Sequence, residues 1–410
     1  MKENEQNEKD PACCGSSKNL SKETCAIHVP YRKRDAYGAL SVPVYNAVAY
    51  EFDNAQDMTD AFTGRSGMPD YSRTANPTVT NLEDRVIALT GAKHVIAFNS
   101  GMAAISNLLL ALTGQGKNVV TSKHLFGNTF SLLTVSMKRF GVETRLVDLT
   151  NPEEVAAAID ENTACVFFEI ITNPQMEVAD IPTLAKVAHE KGTVLVADTT
   201  TIPFTQFNSH SLGVDVEVVS STKYISGGAT SLGGLVIDYG SVFGIGQFIK
   251  NELLFNFGAY MTPHVAYLQT LGLETLAARY RVQSDNALQL AKLLQTLPQI
   301  KRVNYVGLED NPYHELAQRQ FGATAGAMIC IDLADQDACF HFINHLQLIH
   351  RATNLFDNRT LAIHPYSTIF GLFRPEQKRK MDVLDTTVRL SIGLEDYHDL
   401  FNDIRQALEA

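Results

Sequence analysis

A lysine and an aspartate, 25 residues apart, each follow an apolar, β-branched stretch of this chain. Residues 216–219 lead to Lys223, and residues 194–197 lead to Asp198. Such stretches are typical of buried strands in a parallel sheet, and ligands of α/β proteins bind at the carboxyl ends of those strands. Burial lowers the pKa of an amine, so a lysine placed there can act as nucleophile and base.

A surface lysine that follows a strand by chance is the alternative interpretation of Lys223 alone, and Asp198 weakens it. Lysine and aspartate on neighbouring strand ends suit pyridoxal phosphate (PLP). The amine joins the cofactor aldehyde covalently, and the carboxylate keeps the pyridine nitrogen protonated, so that the ring accepts electrons. The pair therefore predicts a PLP site.

A phosphate site is predicted where Ser100, Gly101 and Met102 follow one strand and open an apolar helix. A glycine at a helix start lets backbone N–H groups approach a phosphate, and the helix dipole adds favourable charge. Ser220 and Thr222 add hydroxyl donors beside the lysine. A plain strand-to-helix turn accounts for the first three residues equally well.

Three further residues follow or lie within predicted strands, and each has two interpretations. Phe126 can stack on a planar ring, although spacing alone favours a core phenylalanine. Asn173 can bond a phenolic oxygen or form an Asn-Pro turn. Arg389, flanked by apolar residues, can bind an amino acid's α-carboxylate or form an internal salt bridge.

The composition of the whole chain narrows its class. With 410 residues, 45% of them hydrophobic, and a net charge of -11, it is a globular protein without the basic surface that nucleic acids require. No apolar run is long enough to cross a membrane. Six cysteines in a chain of this size indicate a reducing cytoplasm. Cys13, Cys14 and Cys25 lie near His28, but without C-x-x-C spacing a mobile tail is favoured over a metal site, and no metal is predicted.

The order of apolar and polar segments predicts an α/β protein. Residues 1–25 are expected to be a disordered tail, 26–75 an N-terminal arm, 76–265 a cofactor-binding domain and 266–410 a smaller C-terminal α+β domain. Strands that alternate with helices predict a mostly parallel seven-stranded sheet with helices on both faces. Its strands are expected at 94–98, 118–121, 144–149, 165–171, 194–198, 216–220 and 233–237. The C-terminal domain is expected to contain a long helical pattern over 264–297 and strands at 301–306, 326–332 and 386–392.

Several motifs, in order along the chain, resemble the Cys/Met-metabolism family of PLP-dependent enzymes. They are Tyr71-Ser72-Arg73-x-x-Asn76-Pro77-Thr78, Ser100-Gly101-Met102, Asp198-Thr199, Ser220-x-Thr222-Lys223-Tyr224 and Arg389-Leu390-Ser391-x-Gly393-x-Glu395. The resemblance runs from about residue 26 to the end. It implies PLP fold type I, the aspartate-aminotransferase-like fold.

The resemblance also implies a role for each candidate residue. Lys223 would carry the cofactor, with Asp198 at the pyridine nitrogen. Phe126 would stack on the ring, Asn173 would contact the phenolic oxygen, and Arg389 and Asn354 would bind the substrate. Tyr71 and Arg73 would reach the phosphate of a neighbouring subunit, and Tyr71 would also contact the substrate. The implied assembly is a dimer, usually within a tetramer. The phosphate would be held by Ser100, Gly101, Met102, Ser220 and Thr222.

The segment from Asn354 to Pro365 is most similar to the sulfhydrylase branch of the family. We therefore expect γ-substitution on an O-acyl-L-homoserine by a sulfur nucleophile, with γ- or β-elimination from methionine, cystathionine or cysteine as the alternative. Five positions depart from the family's pattern and bear on the substrate: Phe126 replaces tyrosine, and Asn128, Thr199, Gly228 and Phe370 also differ.

Two other classes of function fit parts of the sequence. Ser220-Ser221-Thr222-Lys223 matches S-x-x-K, and Ser284-Asp285-Asn286 matches S-D-N, as in serine acyl-transfer enzymes. No K-T-G follows, and Ser284 falls inside a predicted helix, so the match is interpreted as coincidence. A binding module without activity would not need the lysine, the aspartate and the arginine together.

Overall fold

The computed structural model describes residues 20–29 and 37–410. Its larger sheet has seven strands in the order β1-β7-β6-β5-β4-β2-β3, in which β7 runs antiparallel to β1 and β6 and the other pairs are parallel. All seven predicted strands are confirmed. They are β1 (His94–Phe98), β2 (Asn118–Ser122), β3 (Glu143–Val147), β4 (Thr163–Glu169), β5 (Val194–Asp198), β6 (Val216–Val219) and β7 (Gly234–Asp238).

Helices cover both faces of this sheet. Residues that alternate along one strand belong to two different hydrophobic clusters: Val166 and Phe168 of β4 pack in one, Cys165 and Phe167 in the other. A strand with both faces buried needs apolar residues at every position, which is why the sequence pattern was continuous. The helices of the described residues are α1 (Lys22–His28), α2 (Ala55–Phe62), α3 (Pro77–Thr90), α4 (Gly101–Leu112), α5 (Gly127–Ser131), α6 (Pro152–Ala158), α7 (Ile181–Glu190), α8 (Ile245–Phe248), α9 (Phe255–Phe257), α10 (Pro263–Glu274), α11 (Leu276–Leu294), α12 (His314–Phe321), α13 (Gln336–His345), α14 (Pro375–Lys380) and α15 (Tyr397–Glu409).

A second, four-stranded antiparallel sheet forms the C-terminal part, in the order β10-β11-β9-β8. Its strands are β8 (Arg302–Asn304), β9 (Met328–Asp332), β10 (Leu361–Ile363) and β11 (Thr387–Ser391). Three of them were predicted, with longer bounds. β10 was not, because its apolar run ends after three residues at His364-Pro365, whereas β8 lies inside a longer strand-like run over 301–306.

The helical pattern predicted over 264–297 is two helices, α10 and α11, that meet at Thr275. Near the end of α10, Gly272 lies directly against the backbone that follows Lys223. A β-carbon at 272 would collide with the carbonyl oxygen of Ile225. The absence of a side chain therefore lets α10 support the turn that holds the lysine.

The N-terminal boundary differs from the expectation. Residues 22–25, which the sequence assigned to the disordered tail, belong to α1, where Cys25 and Ala26 are buried. The Lys22 ammonium donates to the carbonyl oxygens of Phe204 and Phe207 at 2.6 and 3.2 Å, which fixes the helix on the large domain. Cys13 and Cys14 lie outside the described residues.

No helix in the described residues is long and apolar enough to cross a membrane. Within the same residues, no group of three or more His, Cys, Asp or Glu side chains is arranged to hold a metal ion.

Candidate active site

The candidate site lies where the carboxyl ends of β4, β5 and β6 meet. Glu169 ends β4 and is the register partner of Asp198, which ends β5. Asp198 in turn pairs with Val218 of β6, five residues before Lys223. Because parallel strands bring their carboxyl ends to one edge, three polar side chains converge there.

Lys223 occupies the turn between β6 and a short 3-10 helix over 224–226. Its ammonium donates to the side-chain oxygen of Asn354 at 2.8 Å. Burial, and then the positive charge of Arg389, lower the pKa of Lys223 to about 8, while Asp198 opposes the shift. A large fraction of the amine is therefore uncharged, and nucleophilic, at mildly alkaline pH.

The Asp198 carboxylate accepts the backbone N–H of Thr200 at 3.0 Å. Burial raises the pKa of Asp198, and its hydrogen bonds to Thr200 partly offset that rise. A protonated pyridine nitrogen placed against this carboxylate would favour its ionised form and in return keep its own proton.

The start of α4 has the features of a phosphate cradle: a capped helix N-terminus and a glycine packed against the β6 turn. The Ser100 side chain caps the helix by accepting the backbone N–H of Ala103 at 3.1 Å. Gly101 packs against Ser220 so closely that a β-carbon at 101 would lie 2.7 Å from the Ser220 Oγ. A glycine is therefore required here, at the start of a twelve-residue helix whose first N–H groups have no partner within the helix.

Met102 follows Gly101 in the chain, and Thr222 lies two residues after Ser220; each is held by hydrogen bonds of its own. The Met102 sulfur accepts a weak hydrogen bond from the Thr129 hydroxyl at 3.9 Å. The Thr222 hydroxyl both donates to the carbonyl oxygen and accepts from the N–H of Gly233, at 3.1 and 3.0 Å. These bonds tie the segment before Lys223 to the start of β7.

Arg389 of β11 enters the site from the small domain and is only 3% exposed. It donates to the side-chain oxygen of Asn173 and to the main-chain oxygen of Asn354, both at 3.1 Å. Its Nε has no partner in the described residues, and none of their carboxylates forms an ion pair with it. The internal salt bridge considered for Arg389 is therefore not found there, and a buried guanidinium of this kind suits a carboxylate supplied by a ligand.

Phe126 precedes α5 and is half-buried. Its backbone N–H donates to the Glu169 carboxyl at 2.6 Å. Sequence reasoning missed Glu169, although its position as a single acid at the end of an apolar strand was a usable signal. It also missed Thr200 and Gly233, whose contacts arise only from folding.

Tyr71 and Arg73 are not brought to this group of residues within the chain. Tyr71 is 41% exposed, and the Arg73 guanidinium lies over the rings of Tyr71 and Phe255, at 5.4 and 5.0 Å from their centroids. Arg73 also donates to the carbonyl oxygen of Phe255. In the described residues, the bonds of Tyr71 and Arg73 involve none of the groups around Lys223.

The S-x-x-K and S-D-N matches do not form one site. Ser284 lies inside α11, where it is buried, and its hydroxyl accepts the backbone N–H of Ala325 at 3.4 Å. The Asn286 amide donates to the carbonyl oxygens of Gly393 and Glu395. Both residues are used in packing the small domain, which argues against serine acyl-transfer chemistry.

The positions that depart from the family's pattern have separate environments. Thr199 donates to the buried Glu217, and Phe370 is fully buried. Gly228 has φ of 115°, and a β-carbon there would collide with Asn358. Asn128 is exposed at the edge of a cavity.

That cavity, of about 1060 Å³, opens between the α5 region and the small domain. Its lining includes Asn128, two residues after Phe126, and Thr353, which precedes Asn354. Arg351 and His364 also line it, and no Asp or Glu does. Lys223, Asp198, Phe126 and Arg389 do not line this cavity.

The residues present fit PLP. A buried amine faces Asp198, the α4 cradle can take the phosphate, and the Nε of buried Arg389 lacks a partner in the described residues. The family model described as Cys/Met metabolism PLP-dependent enzyme matches residues 23–409.

Known proteins of similar sequence have more than one activity. The O-succinylhomoserine sulfhydrylase of Pseudomonas aeruginosa is 36% identical, over 95% of this chain and 95% of its own. The L-methionine gamma-lyase of Pseudomonas putida is also 36% identical, over 97% and 99%. The O-acetyl-L-homoserine sulfhydrylase of Corynebacterium glutamicum is 31% identical, over 95% and 97%.

A crystal structure from Campylobacter jejuni that contains N'-pyridoxyl-lysine-5'-monophosphate superimposes with a TM-score of 0.91. It is 33% identical in sequence and covers 95% of this chain and 100% of its own.

Proposed function

The chain belongs to the Cys/Met-metabolism family of PLP-dependent enzymes, and we propose that it catalyses γ-substitution on an O-acyl-L-homoserine with a sulfur nucleophile. The product would be homocysteine or methionine, depending on the nucleophile. The observation that carries this choice within the family is Phe126, which has no hydroxyl where a proton donor would help a poor leaving group.

Each residue of the candidate site would have a separate role in the reaction. PLP, when bound, supplies an aldehyde and a protonated ring that withdraws electrons from the substrate's Cα. Lys223 Nζ would remove the Cα proton, because its lowered pKa leaves much of the amine uncharged. Arg389 would bind the substrate's α-carboxylate, and this anion would pair with a guanidinium whose Nε has no partner in the described residues. Asn354 would orient Lys223 through its 2.8 Å hydrogen bond.

The leaving group decides between substitution on an ester and elimination from a thioether. A thiolate is a strong base and leaves more readily when an acid protonates it, whereas a carboxylate leaves without that help. Phe126 keeps the aromatic face but provides no proton. An activated ester is therefore the better match for this site.

The second candidate function is γ- or β-elimination from methionine, cystathionine or cysteine. It is favoured by the 36% identity to L-methionine gamma-lyase and by Tyr71, whose hydroxyl could supply the proton from a neighbouring subunit.

A substrate panel separates the two functions. Purified holoenzyme would be offered O-acetylhomoserine or O-succinylhomoserine with sulfide or methanethiol and, separately, methionine, cystathionine and cysteine. We expect thiol-dependent formation of homocysteine or methionine at the highest kcat/KM. A higher kcat/KM for 2-oxobutyrate release from methionine would replace the proposal with the lyase.

Two variants test the assigned roles. Phe126→Tyr should increase elimination from methionine relative to substitution, and an unchanged ratio would show that the acid argument is wrong.

Borohydride reduction followed by peptide mapping should leave the cofactor on Lys223, and Lys223→Ala should abolish the label. A label on another lysine would contradict the cofactor assignment.

We also propose that the active form is a homotetramer built as a dimer of dimers. In each dimer, Tyr71 and Arg73 of one subunit would complete the site of the partner subunit. This would account for an exposed Tyr71 and for an Arg73 that has no contact with its own Lys223 group. A second copy of the chain would then be required for phosphate binding.

Mixing two inactive variants tests the shared site. Lys223→Ala and Arg73→Ala subunits, dissociated and reassociated together, should recover about a quarter of wild-type activity, because half of the dimers would be hybrids with one intact site. Arg65→Ala is the control for Arg73, since Arg65 is exposed and pairs with Asp60. No recovery in verified hybrids would place both residues in the same subunit's site.

The expected compartment is the cytoplasm. Among the described residues, Cys165, Cys330 and Cys339 are buried and form no disulfide with one another, which suits a reducing environment.

A further inference from the structure

Glu169 is a buried carboxyl that contacts two segments of the site at once. It is 7% exposed, and its Oε1 accepts the backbone N–H of Phe126 at 2.6 Å. It also accepts the backbone N–H of Asn173, whose side chain bonds Arg389. One side chain therefore fixes the residue at the ring position and the partner of the substrate-binding arginine.

Glu169 lies beside a second carboxyl. It pairs in register with Asp198 on the adjacent parallel strand, and such strands are about 4.8 Å apart with paired side chains on the same face. No Lys, Arg or His in the described residues forms an ion pair with Glu169. Two buried carboxylates this close would repel each other strongly if both were ionised.

We propose that Glu169 is a positioning residue that acts as a neutral carboxylic acid, holding Phe126 and Asn173 while Asp198 alone carries the negative charge of the pair. The inference rests on the cofactor roles proposed for Asp198 and Phe126, and it does not depend on which sulfur substrate the enzyme uses.

The electrostatics agree with this geometry. Burial, and then the charge of Asp198, raise the pKa of Glu169 well above its usual value, although the two backbone N–H groups oppose the rise. A single negative charge matches a single protonated pyridine nitrogen, and a second charge on Glu169 would be buried without an ion-pair partner among the described residues.

Glu169→Gln and Glu169→Ala distinguish the positioning of Phe126 and Asn173 by Glu169 from any effect of a negative charge on Glu169. Glutamine keeps an acceptor oxygen and is always neutral, so Glu169→Gln should keep the visible circular dichroism of the bound cofactor, and KM for the amino acid within about twofold. The pH midpoint of the cofactor absorbance should also stay where it is. Glu169→Ala frees both segments, and we expect it to reduce the dichroism and raise KM at least about tenfold with a smaller change in kcat.

Glu83→Gln is the matched control. Glu83 is also buried and accepts a strand N–H, that of Ala97 at 3.0 Å, but it lies by β1 and pairs with Lys250. Its substitution should affect stability without changing the cofactor's dichroism.

Two results would overturn the proposal. A fall of about one unit or more in the absorbance midpoint of Glu169→Gln would mean that a negative charge had been removed. Unchanged dichroism and KM in Glu169→Ala would mean that Glu169 positions nothing. PLP affinity and thermal unfolding of the apoenzymes show whether each variant is folded, and the substrate panel tests the sulfur chemistry independently.

Discussion

Asn354 contacts the lysine and the arginine of the site at the same time. Its side-chain oxygen accepts from Lys223 at 2.8 Å, and its main-chain oxygen accepts from Arg389 at 3.1 Å. Two residues later, Phe356 has φ of 59°, an uncommon value for a bulky residue, and its ring stacks on Tyr224 at 4.0 Å. The small domain is therefore part of the site, held against the turn that carries the lysine.

Asn354 should influence the basicity of the lysine. A hydrogen bond from the ammonium favours its charged form, so Asn354→Leu should lower the pKa of Lys223 below its value of about 8. The pH dependence of reductive methylation of the apoenzyme, followed by peptide mapping, measures this. Asn354→Asp provides the control, because the added negative charge should raise the same pKa. Shifts in the same direction for both variants would show that this hydrogen bond does not set the pKa.

Arg389→Met should weaken binding of the amino acid without destabilising the free enzyme. Loss of a buried charge pair with the substrate carboxylate costs about 3 kcal/mol, so KM should rise by about two orders of magnitude. In the free protein no carboxylate of the described residues pairs with this buried guanidinium, so its replacement should leave the thermal midpoint equal or higher. Arg389→Lys, which keeps the charge but loses the planar fork, should have an intermediate KM. A large loss of stability in Arg389→Met would indicate a structural role instead.

Gly101→Ala should impair the phosphate site. The new β-carbon would lie 2.7 Å from the Cβ and Oγ of Ser220, so the start of α4 or the β6 turn would have to move. We expect the Kd for PLP to rise about tenfold or more, measured by titration of the apoenzyme. Gly114→Ala is the control, since a β-carbon there would meet nothing within 4 Å. Equal affinities in the two variants would place the phosphate elsewhere.

His124 connects the two domains and should make stability depend on pH. Its Nδ1 and Nε2 lie 3.1 and 2.8 Å from carboxylate oxygens of Glu177 and Asp382. Burial lowers the pKa of His124, but the hydrogen bonds to both carboxylates outweigh it, so the pKa is raised overall. The stabilisation is therefore complete below the unfolded pKa of about 6.5 and is lost as pH rises through the folded pKa.

His124→Gln should accordingly be less stable than the wild type at pH 5.5, with a difference that shrinks toward pH 8.5. Thermal midpoints across this range measure it. The effect should not exceed about 1 kcal/mol, because the Asp382 side chain is 54% exposed. Asp382→Asn should remove part of the pH dependence. A difference between His124→Gln and wild type that stays constant with pH would exclude protonation of His124 as its cause.

The strands and the Lys223–Asp198 pair could be predicted because they follow from local pattern. In an α/β chain, a short apolar, β-branched run that ends in a polar residue strongly favours a buried strand, and parallel strands bring such ends together. Glu169 shows the same pattern but was missed, because a single acid at the end of a strand does not predict a site unless a second functional residue is known to lie beside it. β10 was missed because its apolar run stops after three residues at His364-Pro365 and shows no alternation that extends beyond the strand.

What the sequence by itself determined is the set of strand ends and the chemistry available at them, since strand and helix patterns depend on neighbouring residues. Only the tertiary structure decided which of those groups meet. It paired Glu169 with Asp198, placed Asn354 between Lys223 and Arg389, and gave Arg389 no carboxylate in the described residues. The contacts of Arg73 in the described residues are with Tyr71 and Phe255 rather than with the residues around Lys223. The contacts of Asn354 join residues up to 131 positions apart, and contacts between residues so distant in sequence are set by the packing of the two domains rather than by any local preference.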